Sequence, residues 1–291
     1  MTFAQFQENT KEFNNITVNR GRGEDKASEY ADGRFDVVFI DAGHTYEEVK
    51  QDIIQWKPKA KMIIAGHDYY PGVWDGVVKA VDEAFGKPDG VAGTIWYKYL
   101  VPKVSIIIPH LGREEGLKRC LESIDRLNYP KELIEVIVVR GEGTVPEKVE
   151  RGFKMSTGKK IVYAANDMIF HPDCLIEAVN IGGLVAFNSG PLSFDEGNIC
   201  EHFMIDREMV DDLDGGIFCQ EFHHCGVDNY LWAQAEKMGL AYREEKAQVI
   251  HEHFSKGAEY DEVYQKGWSK VEEDRELLKK KLAKLNEERS I

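Results

Sequence analysis

Short, continuous apolar runs alternate with amphipathic segments along most of the chain. The runs FDVVFI, MIIAG, VSIIIP and IEVIVV are rich in β-branched residues and are bounded by polar or turn-forming residues, a pattern typical of buried strands. Between them, EEVKQDIIQW and GLKRCLESIDRL place apolar side chains at helical spacing. Strands that alternate with helices in this way predict βαβ units, a largely parallel sheet and therefore an α/β fold.

The pattern changes near residue 100. The polar and aromatic stretch GTIWYKYLVPK closes the first group of elements, and Pro102 directly precedes a new buried-strand pattern. A chain of 291 residues can bury two modest cores. We therefore predict two domains, residues 1–100 and 101–291, the second ending in a helix with a narrow stripe formed by Leu278, Leu282 and Leu285.

Composition narrows the class of protein. The net charge of −14 argues against nucleic-acid binding, which needs a basic face, and is compatible with an acidic enzyme that recruits a divalent cation. No apolar run approaches the length of a membrane span, and the N-terminus lacks the layout of a signal peptide, so the cytoplasm is the default expectation. The five cysteines have no regular spacing, as expected where thiols stay reduced.

Candidate binding residues follow two strands of the second domain. The segment VSIIIPHLGREEGLKRCLESI predicts a strand, a polar turn and a helix, which puts Pro109, His110 and Arg113 at a strand's carboxyl end, where α/β sheets bind nucleotides. Asn166 and Asp167 likewise follow the strand pattern of GKKIVYA. A carboxylate there can hold a metal between diphosphate oxygens, although an Asn-Asp pair can also simply form an Asx turn.

The segment from Val104 to about Trp268 resembles family-two A-type (GT-A) glycosyltransferases. Three motifs carry the resemblance, in the family's order: SIIIPHLGREEGLKRCLESI, AANDM and CGVDNYLWAQAEKMGL. The resemblance implies a GT-A, Rossmann-like, nucleotide-sugar-binding domain that transfers a sugar to an acceptor hydroxyl with inversion. It further implies that Asp228 is the general base and that Asp167 is a ligand of the diphosphate and of Mn²⁺ or Mg²⁺.

The family often supplies a late histidine to the metal or diphosphate. Here, His251 and His253 follow the strand pattern AQVIH, and we expect only one of them to serve, with an ordinary surface histidine as the alternative.

Two departures from the family pattern affect ligand binding. Two aspartates usually flank one residue in the metal motif, whereas position 165 is Ala165, which predicts weak metal affinity. The second strand usually ends in an acidic pair that recognises the nucleobase, but Arg140 and Gly141 stand there, with Glu142 displaced. The identity of the nucleotide therefore stays open.

A zinc site is an alternative use of the cysteines and histidines of ICEHF and FCQEFHHC. Their spacing matches none of the usual paired short-gap patterns, so we favour an acceptor-pocket loop or ordinary packing. The residues concerned are Cys200, His202, Cys219, His223, His224 and Cys225.

The first domain has its own strand-end cluster. One predicted strand ends at Asp41 and a second at His67 and Asp68. Because neighbouring parallel strands end at one rim, these residues and His44 could share a metal or substrate site. Helix capping and turn formation are the alternative for each residue taken alone.

The stretch from Thr2 to Phe85 resembles the latter half of class I S-adenosylmethionine-dependent methyltransferases, through IDAGHTYE and GHDY. The family's strand-end acids can hold a divalent metal. Its glycine-rich cofactor loop, and the acid after its second strand, would lie before Met1. We therefore expect a truncated, partial Rossmann-like half-domain that does not bind S-adenosylmethionine by itself.

Three hypotheses follow. The first is a glycosyltransferase that uses a nucleotide-sugar donor and a glycan, protein or small-molecule acceptor. The second is an O-methyltransferase whose missing half comes from another polypeptide or from self-association. The third is a non-catalytic module that binds a nucleotide sugar or a glycan. The sequence leaves open whether the chain forms a homo-oligomer.

Overall fold

The computed structural model describes residues 3–190, 200–252 and 262–287. The chain divides into two compact units, Met1–Leu100 and Val101–Ile291, and each unit has its own sheet. None of the helices in the described ranges is both long and apolar enough to cross a membrane.

Unit 1 contains a four-stranded sheet in the order β1-β2-β4-β3. Its elements are α1 (Phe3–Thr10), α2 (Gly23–Ala27), β1 (Phe35–Ile40), α3 (Tyr46–Trp56), β2 (Ala60–Gly66), α4 (Asp75–Phe85), β3 (Gly90–Ala92) and β4 (Ile95–Tyr99). The prediction of parallel strands is right for β1 and β2, whereas β4 is antiparallel to both β2 and β3. Because β1 and β2 are parallel, the residues that follow them lie at the same edge.

A capping box begins α3 of unit 1. The Thr45 hydroxyl accepts a hydrogen bond from the Glu48 backbone N–H, and the Glu48 carboxylate accepts one from the Thr45 backbone. The helix then buries Val49 and Ile53 in the core of the unit. Gly76 at the start of α4 lies so close to the His44 carbonyl that a Cβ would stand 2.7 Å from its oxygen. This close approach packs α4 against the loop that carries His44.

Unit 2 contains a seven-stranded sheet in the order β6-β5-β7-β10-β9-β11-β8. Its strands are β5 (Val104–Pro109), β6 (Ile134–Val139), β7 (Lys160–Tyr163), β8 (Met168–Phe170), β9 (Leu184–Asn188), β10 (Phe203–Asp206) and β11 (Ala241–His251). Its α-helices are α5 (Glu114–Asp125), α6 (Val145–Met155), α7 (Cys174–Ala178), α8 (Val227–Met238), α9 (Glu262–Gly267) and α10 (Val271–Glu287).

Two strands of this sheet run against the others. β5 pairs in parallel with β6 and β7, and β11 pairs in parallel with β9. However, β10 lies antiparallel between β7 and β9, and β8 is antiparallel to β11. The prediction of a largely parallel sheet is therefore confirmed, with β8 and β10 as its two antiparallel strands. As a result, both strands begin at the edge where β5, β7, β9 and β11 end.

A buried carboxylate in α10 holds the segment that leads into α8. Asp274 accepts hydrogen bonds from three consecutive backbone N–H groups, those of His223, His224 and Cys225, at 2.8, 2.9 and 2.8 Å. The leucines of α10 pack against the core of unit 2 beside this contact. Gly226 follows in the left-handed region, with φ of 75°, and α8 begins at the next residue. The position of the α8 N-terminus therefore depends on Asp274.

We expect Asp274→Asn to lower the free energy of unfolding by about 1–3 kcal/mol, because the amide accepts fewer and weaker hydrogen bonds than the carboxylate. Glu273→Gln, an exposed change in the same helix, should shift stability by less than about 0.5 kcal/mol. Urea denaturation of both variants measures the difference. Equal midpoints and equal slopes would show that the carboxylate does not fix this segment.

Candidate functional site

A cavity of about 1150 Å³ opens at the edge of the unit 2 sheet where β5, β7, β9 and β11 end. Its lining includes the residues that the strand-end patterns and the resemblance assigned to donor, acceptor or metal: Pro109, His110, Arg113, Glu142, Asn166, Asp167, Asp228 and His251. The other late histidine, His253, lies outside the described residues. The roles assigned to these residues remain predictions.

His110 is buried, and its side chain connects the end of β5 to the end of β7 through hydrogen bonds. The Asn166 amide donates to the Gly112 carbonyl and lies 3.0 Å from His110 Nδ1. Because Nδ1 accepts from that amide, the ring proton lies on Nε2, which donates to Glu114 at 2.9 Å. Arg140, then His110, lower the pKa of Glu114 to about 2. His110 and Asn166 thus order the cavity wall through a hydrogen-bonded network.

Asp167 is a buried carboxylate between two basic side chains. Its Oδ2 lies 2.7 Å from Arg113 Nη1, and its Oδ1 lies 3.4 Å from His251 Nε2. Burial raises the pKa of Asp167, but His251 and Arg113 outweigh this effect and hold it below its ordinary value. Arg113 has a φ of 59°, a left-handed conformation uncommon for a residue other than glycine. Asp167 is therefore kept ionised at the cavity wall.

His251 is the partner of two carboxylates. Its Nδ1 lies 3.6 Å from Glu201 Oε2, on the side of the ring opposite Asp167. Burial lowers the pKa of His251, but hydrogen bonding and charge from Asp167 and Glu201 raise it overall.

Asp228 is in the first turn of α8 and is partly exposed to the cavity. Desolvation raises the pKa of this carboxyl to about 6, and the charge of Glu201 adds to the rise, while backbone N–H groups of Asn229 and Asp228 itself oppose it. A carboxylate with a pKa close to neutral accepts a proton more readily than an ordinary aspartate. Asp228 thus has the protonation behaviour that a general base requires.

Glu201 and His202 reach the same cavity from the bend before β10. Potential metal-ligand atoms of Glu201, His202 and His251 lie within 4.8 Å of one another. Glu201 was missed by the sequence reasoning, and His202 was considered only for zinc. Within the ranges that the structure describes, the six residues of the zinc alternative do not form one ligand group. The sequence signal that could have identified Glu201 and His202 was their position as a polar pair directly before the short apolar run FMI.

The candidate residues of unit 1 also lie together. Ligand atoms of Asp41, His67 and Asp68 are within 4.8 Å of one another. His44 Nε2 lies 2.7 Å from Asp68 Oδ2, and His67 Nδ1 lies 2.9 Å from Asp68 Oδ1. The cavity they line has a volume of about 10 Å³, which is room for a water molecule or an ion but not for an organic substrate.

Comparison with known proteins gives a match to a methyltransferase family and matches to solved structures of glycosyltransferases. The family described as "Methyltransferase domain" matches residues 2–69, less than half of the chain. A search of curated proteins returned no match. Solved structures of glycosyltransferases are similar to this chain. These matches correspond to the two resemblances stated above.

The mannosyltransferase PcManGT from Pyrobaculum calidifontis, in complex with GDP-Man and Mn²⁺, is 19% identical over 52% of this chain and 57% of its own, with a TM-score of 0.43. S. aureus TarS is 12% identical over 56% of this chain and 41% of its own, with a TM-score of 0.44. Glucosyl-3-phosphoglycerate synthase from Mycobacterium tuberculosis is 14% identical over 52% of this chain and 72% of its own, with a TM-score of 0.39. The chain thus spans about half the length of the first two proteins.

Lys148 is a further cavity residue that the sequence reasoning missed. It is buried on α6 and donates a hydrogen bond to the His110 carbonyl at 3.1 Å. Burial lowers the pKa of this lysine. A lysine one position before Val149, on the buried face of an amphipathic helix, was the available signal.

Proposed function

We propose that unit 2 transfers a sugar from a nucleotide-diphosphate donor to an acceptor hydroxyl, with inversion and with the help of a divalent metal. The observation that carries this proposal is that Asp228, with a pKa of about 6, opens onto the same cavity as the strand-end carboxylate Asp167. The cavity, about 1150 Å³, is slightly larger than the usual range for small-molecule sites, in keeping with a donor and an acceptor bound side by side.

Positive charge at one wall of the cavity suits a diphosphate. Arg113 and Lys148 both line the cavity near the end of β5. A guanidinium can donate two parallel hydrogen bonds to phosphate oxygens, and an ammonium acts as a point charge. We assign the diphosphate of the donor to this wall.

The residues present fit a divalent cation of intermediate hardness. Carboxylate oxygens suit Mg²⁺ and Mn²⁺, whereas imidazole nitrogens suit softer metals, so a mixed set favours Mn²⁺ over Mg²⁺. His251 would hold the ion, and Asp167, whose Oδ1 lies 3.4 Å from His251 Nε2, would hold it directly or through His251. A bound cation would neutralise charge on the departing diphosphate.

Asp228 is the proposed base for the acceptor. The acceptor oxygen forms a bond to the anomeric carbon while the bond from that carbon to the diphosphate oxygen breaks. The hydroxyl proton passes to the Asp228 carboxylate, and the nucleoside diphosphate leaves with the bonding electrons. A single displacement of this kind inverts the anomeric centre.

Calorimetric titration tests donor binding. The panel is GDP-mannose, UDP-glucose and UDP-N-acetylglucosamine, each with and without Mn²⁺. We expect one of them to bind in the presence of Mn²⁺. Failure of every nucleotide sugar to bind to the folded chain, with or without the metal, would contradict the proposal. Binding without turnover would select the non-catalytic module instead.

The pH dependence of transfer follows from the raised pKa of Asp228. The base must be ionised, so we expect kcat/KM to fall about tenfold per pH unit below a pKa of about 6. An ordinary aspartate would place this limb near pH 4. A pH–rate profile measures it. A fall in kcat/KM centred near pH 4 would contradict the assignment of Asp228 as the base.

Unit 1 supports a second candidate function. The match to the methyltransferase family and the group formed by Asp41, His67 and Asp68 favour methyl transfer completed by a second polypeptide or by self-association. Titration with S-adenosylmethionine tests it. We expect no binding to this chain alone. Binding of S-adenosylmethionine that is lost in Asp68→Asn would instead show that unit 1 binds this cofactor.

A further inference from the structure

Three ligand-bearing side chains converge at the edge of the unit 2 sheet from two different strands. Glu201 and His202 are in a bend immediately before β10, and His251 ends β11. Because β10 runs antiparallel to its neighbours, its first residues lie at the edge where β11 ends. Their ligand atoms lie within 4.8 Å of one another, and each residue faces the large cavity.

The strand end that carries Asp167 offers limited support for a cation. Its Oδ2 is 2.7 Å from the Arg113 guanidinium, and the neighbouring Asn166 amide donates to Gly112. The residue two positions earlier is Ala165, which has no ligand atom. One carboxylate shared with an arginine is a weak metal ligand, and a second carboxylate would strengthen the site.

Glu201 is placed to provide that carboxylate. Its Oε2 lies 3.6 Å from His251 Nδ1 and accepts a hydrogen bond from the Ser189 hydroxyl at 2.8 Å. His251 thus has Glu201 on one side and Asp167 on the other. His202 is buried, with its ring centroid 4.5 Å from that of His251. Packing therefore keeps the two imidazoles and the carboxylate close together.

We propose that Glu201 and His202, together with His251, hold the divalent metal of unit 2, and that Asp167 supports His251 from the opposite ring nitrogen. The site would hold Mn²⁺ through two imidazole nitrogens and the Glu201 carboxylate, with Asp167 as an outer-shell partner of His251. Its task at the donor diphosphate rests on the proposed function, whereas the binding of the ion does not.

Two other groups could hold an ion and have to be controlled. Asp41, His67 and Asp68 form one in unit 1, and Asp214, Cys219 and Glu221 form one in unit 2. Asp41→Asn with Asp68→Asn removes the carboxylates of the first group, and asparagine tolerates the left-handed backbone of Asp68. Glu221→Gln is the matched control, because it removes one exposed carboxylate from the second group.

The experiment measures Mn²⁺ binding to the full chain in the Asp41→Asn, Asp68→Asn background, by loss of the free-ion electron paramagnetic resonance signal. We expect Glu201→Gln to weaken Mn²⁺ binding by at least about tenfold, since even outer-shell changes cost that much. Glu221→Gln should leave binding unchanged. Equal affinity in the background and in Glu201→Gln would overturn the proposal, as would the absence of Mn²⁺ binding to the folded background protein.

A spectroscopic measurement keeps the test independent of affinity. Electron spin echo modulation of bound Mn²⁺ should report two imidazole nitrogens, and His202→Gln should remove one of them. Thermal melting of each variant identifies any that fail to fold. An unchanged modulation in folded His202→Gln would overturn the role of His202.

The outcomes separate this inference from the proposed function. If Glu201→Gln weakens Mn²⁺ binding but no nucleotide sugar binds or reacts, the metal site stands and the glycosyltransferase proposal fails. If a nucleotide sugar reacts while Glu201→Gln binds Mn²⁺ as tightly as the background does, the proposed function stands and the metal-site inference is wrong.

Discussion

Asp228→Asn is expected to lower the rate of sugar transfer by about 10²–10⁴-fold, the usual contribution of a general base. The amide has nearly the shape of the carboxylate but cannot accept the acceptor's proton. Donor binding should persist, because Asp228 is assigned to the acceptor. Release of nucleoside diphosphate, measured beside a calorimetric titration, separates turnover from binding. The acid limb near pH 6 should disappear from the residual activity.

Asp211→Asn is a suitable control for this change, because Asp211 is an exposed acid outside the cavity lining. It should leave turnover unchanged. Full turnover in Asp228→Asn would eliminate Asp228 as the base. A loss confined to donor affinity would instead make Asp228 a binding residue.

Asp167→Asn is expected to weaken metal-dependent donor binding by about 100-fold, the upper end of the losses reported even for outer-shell changes at metal sites. The substitution removes the negative charge that lies 3.4 Å from His251 Nε2 and pairs with Arg113. Titration of the nucleotide sugar at fixed Mn²⁺ measures the change. Glu252→Gln, which removes the carboxylate paired with Arg119, is the matched control and should have little effect on this affinity.

Thermal melting has to accompany this measurement. Breaking a buried ion pair leaves a charge without its partner, so Asp167→Asn should also lower stability. A folded variant that binds the donor as tightly as the unmodified chain, with the same dependence on Mn²⁺, would contradict the role of Asp167.

The alternation of strands and helices could be predicted from the sequence, but the direction of two strands could not. An apolar run such as FMI in β10 records burial, and a strand buried in either direction gives the same pattern. The direction of β10 depends on its pairing with β7 and β9, which are distant in sequence. The pattern could therefore predict a largely parallel sheet, but it could not identify which strands are antiparallel.

Because the pattern shows buried strands but not their direction, it also determines which site residues could be found from the sequence. His110, Asp167 and Asp228 follow strand patterns or lie in the resembling motifs, and all of them line the cavity. Glu201 precedes a strand, a position that reaches the cavity only because β10 is antiparallel. Lys148 was missed for another reason: its place beside Val149 on α6 was the available signal, but a lysine there could equally have extended to solvent, and only the packing of the helix shows that it is buried.

The most direct test of the central claim is the release of nucleoside diphosphate from the three nucleotide sugars, with water as the acceptor, in the presence and absence of Mn²⁺. The account predicts Mn²⁺-dependent release from one donor, and loss of that release in both Asp228→Asn and Asp167→Asn. Release that persists undiminished in both folded variants, or the absence of release and binding for every donor, would contradict it.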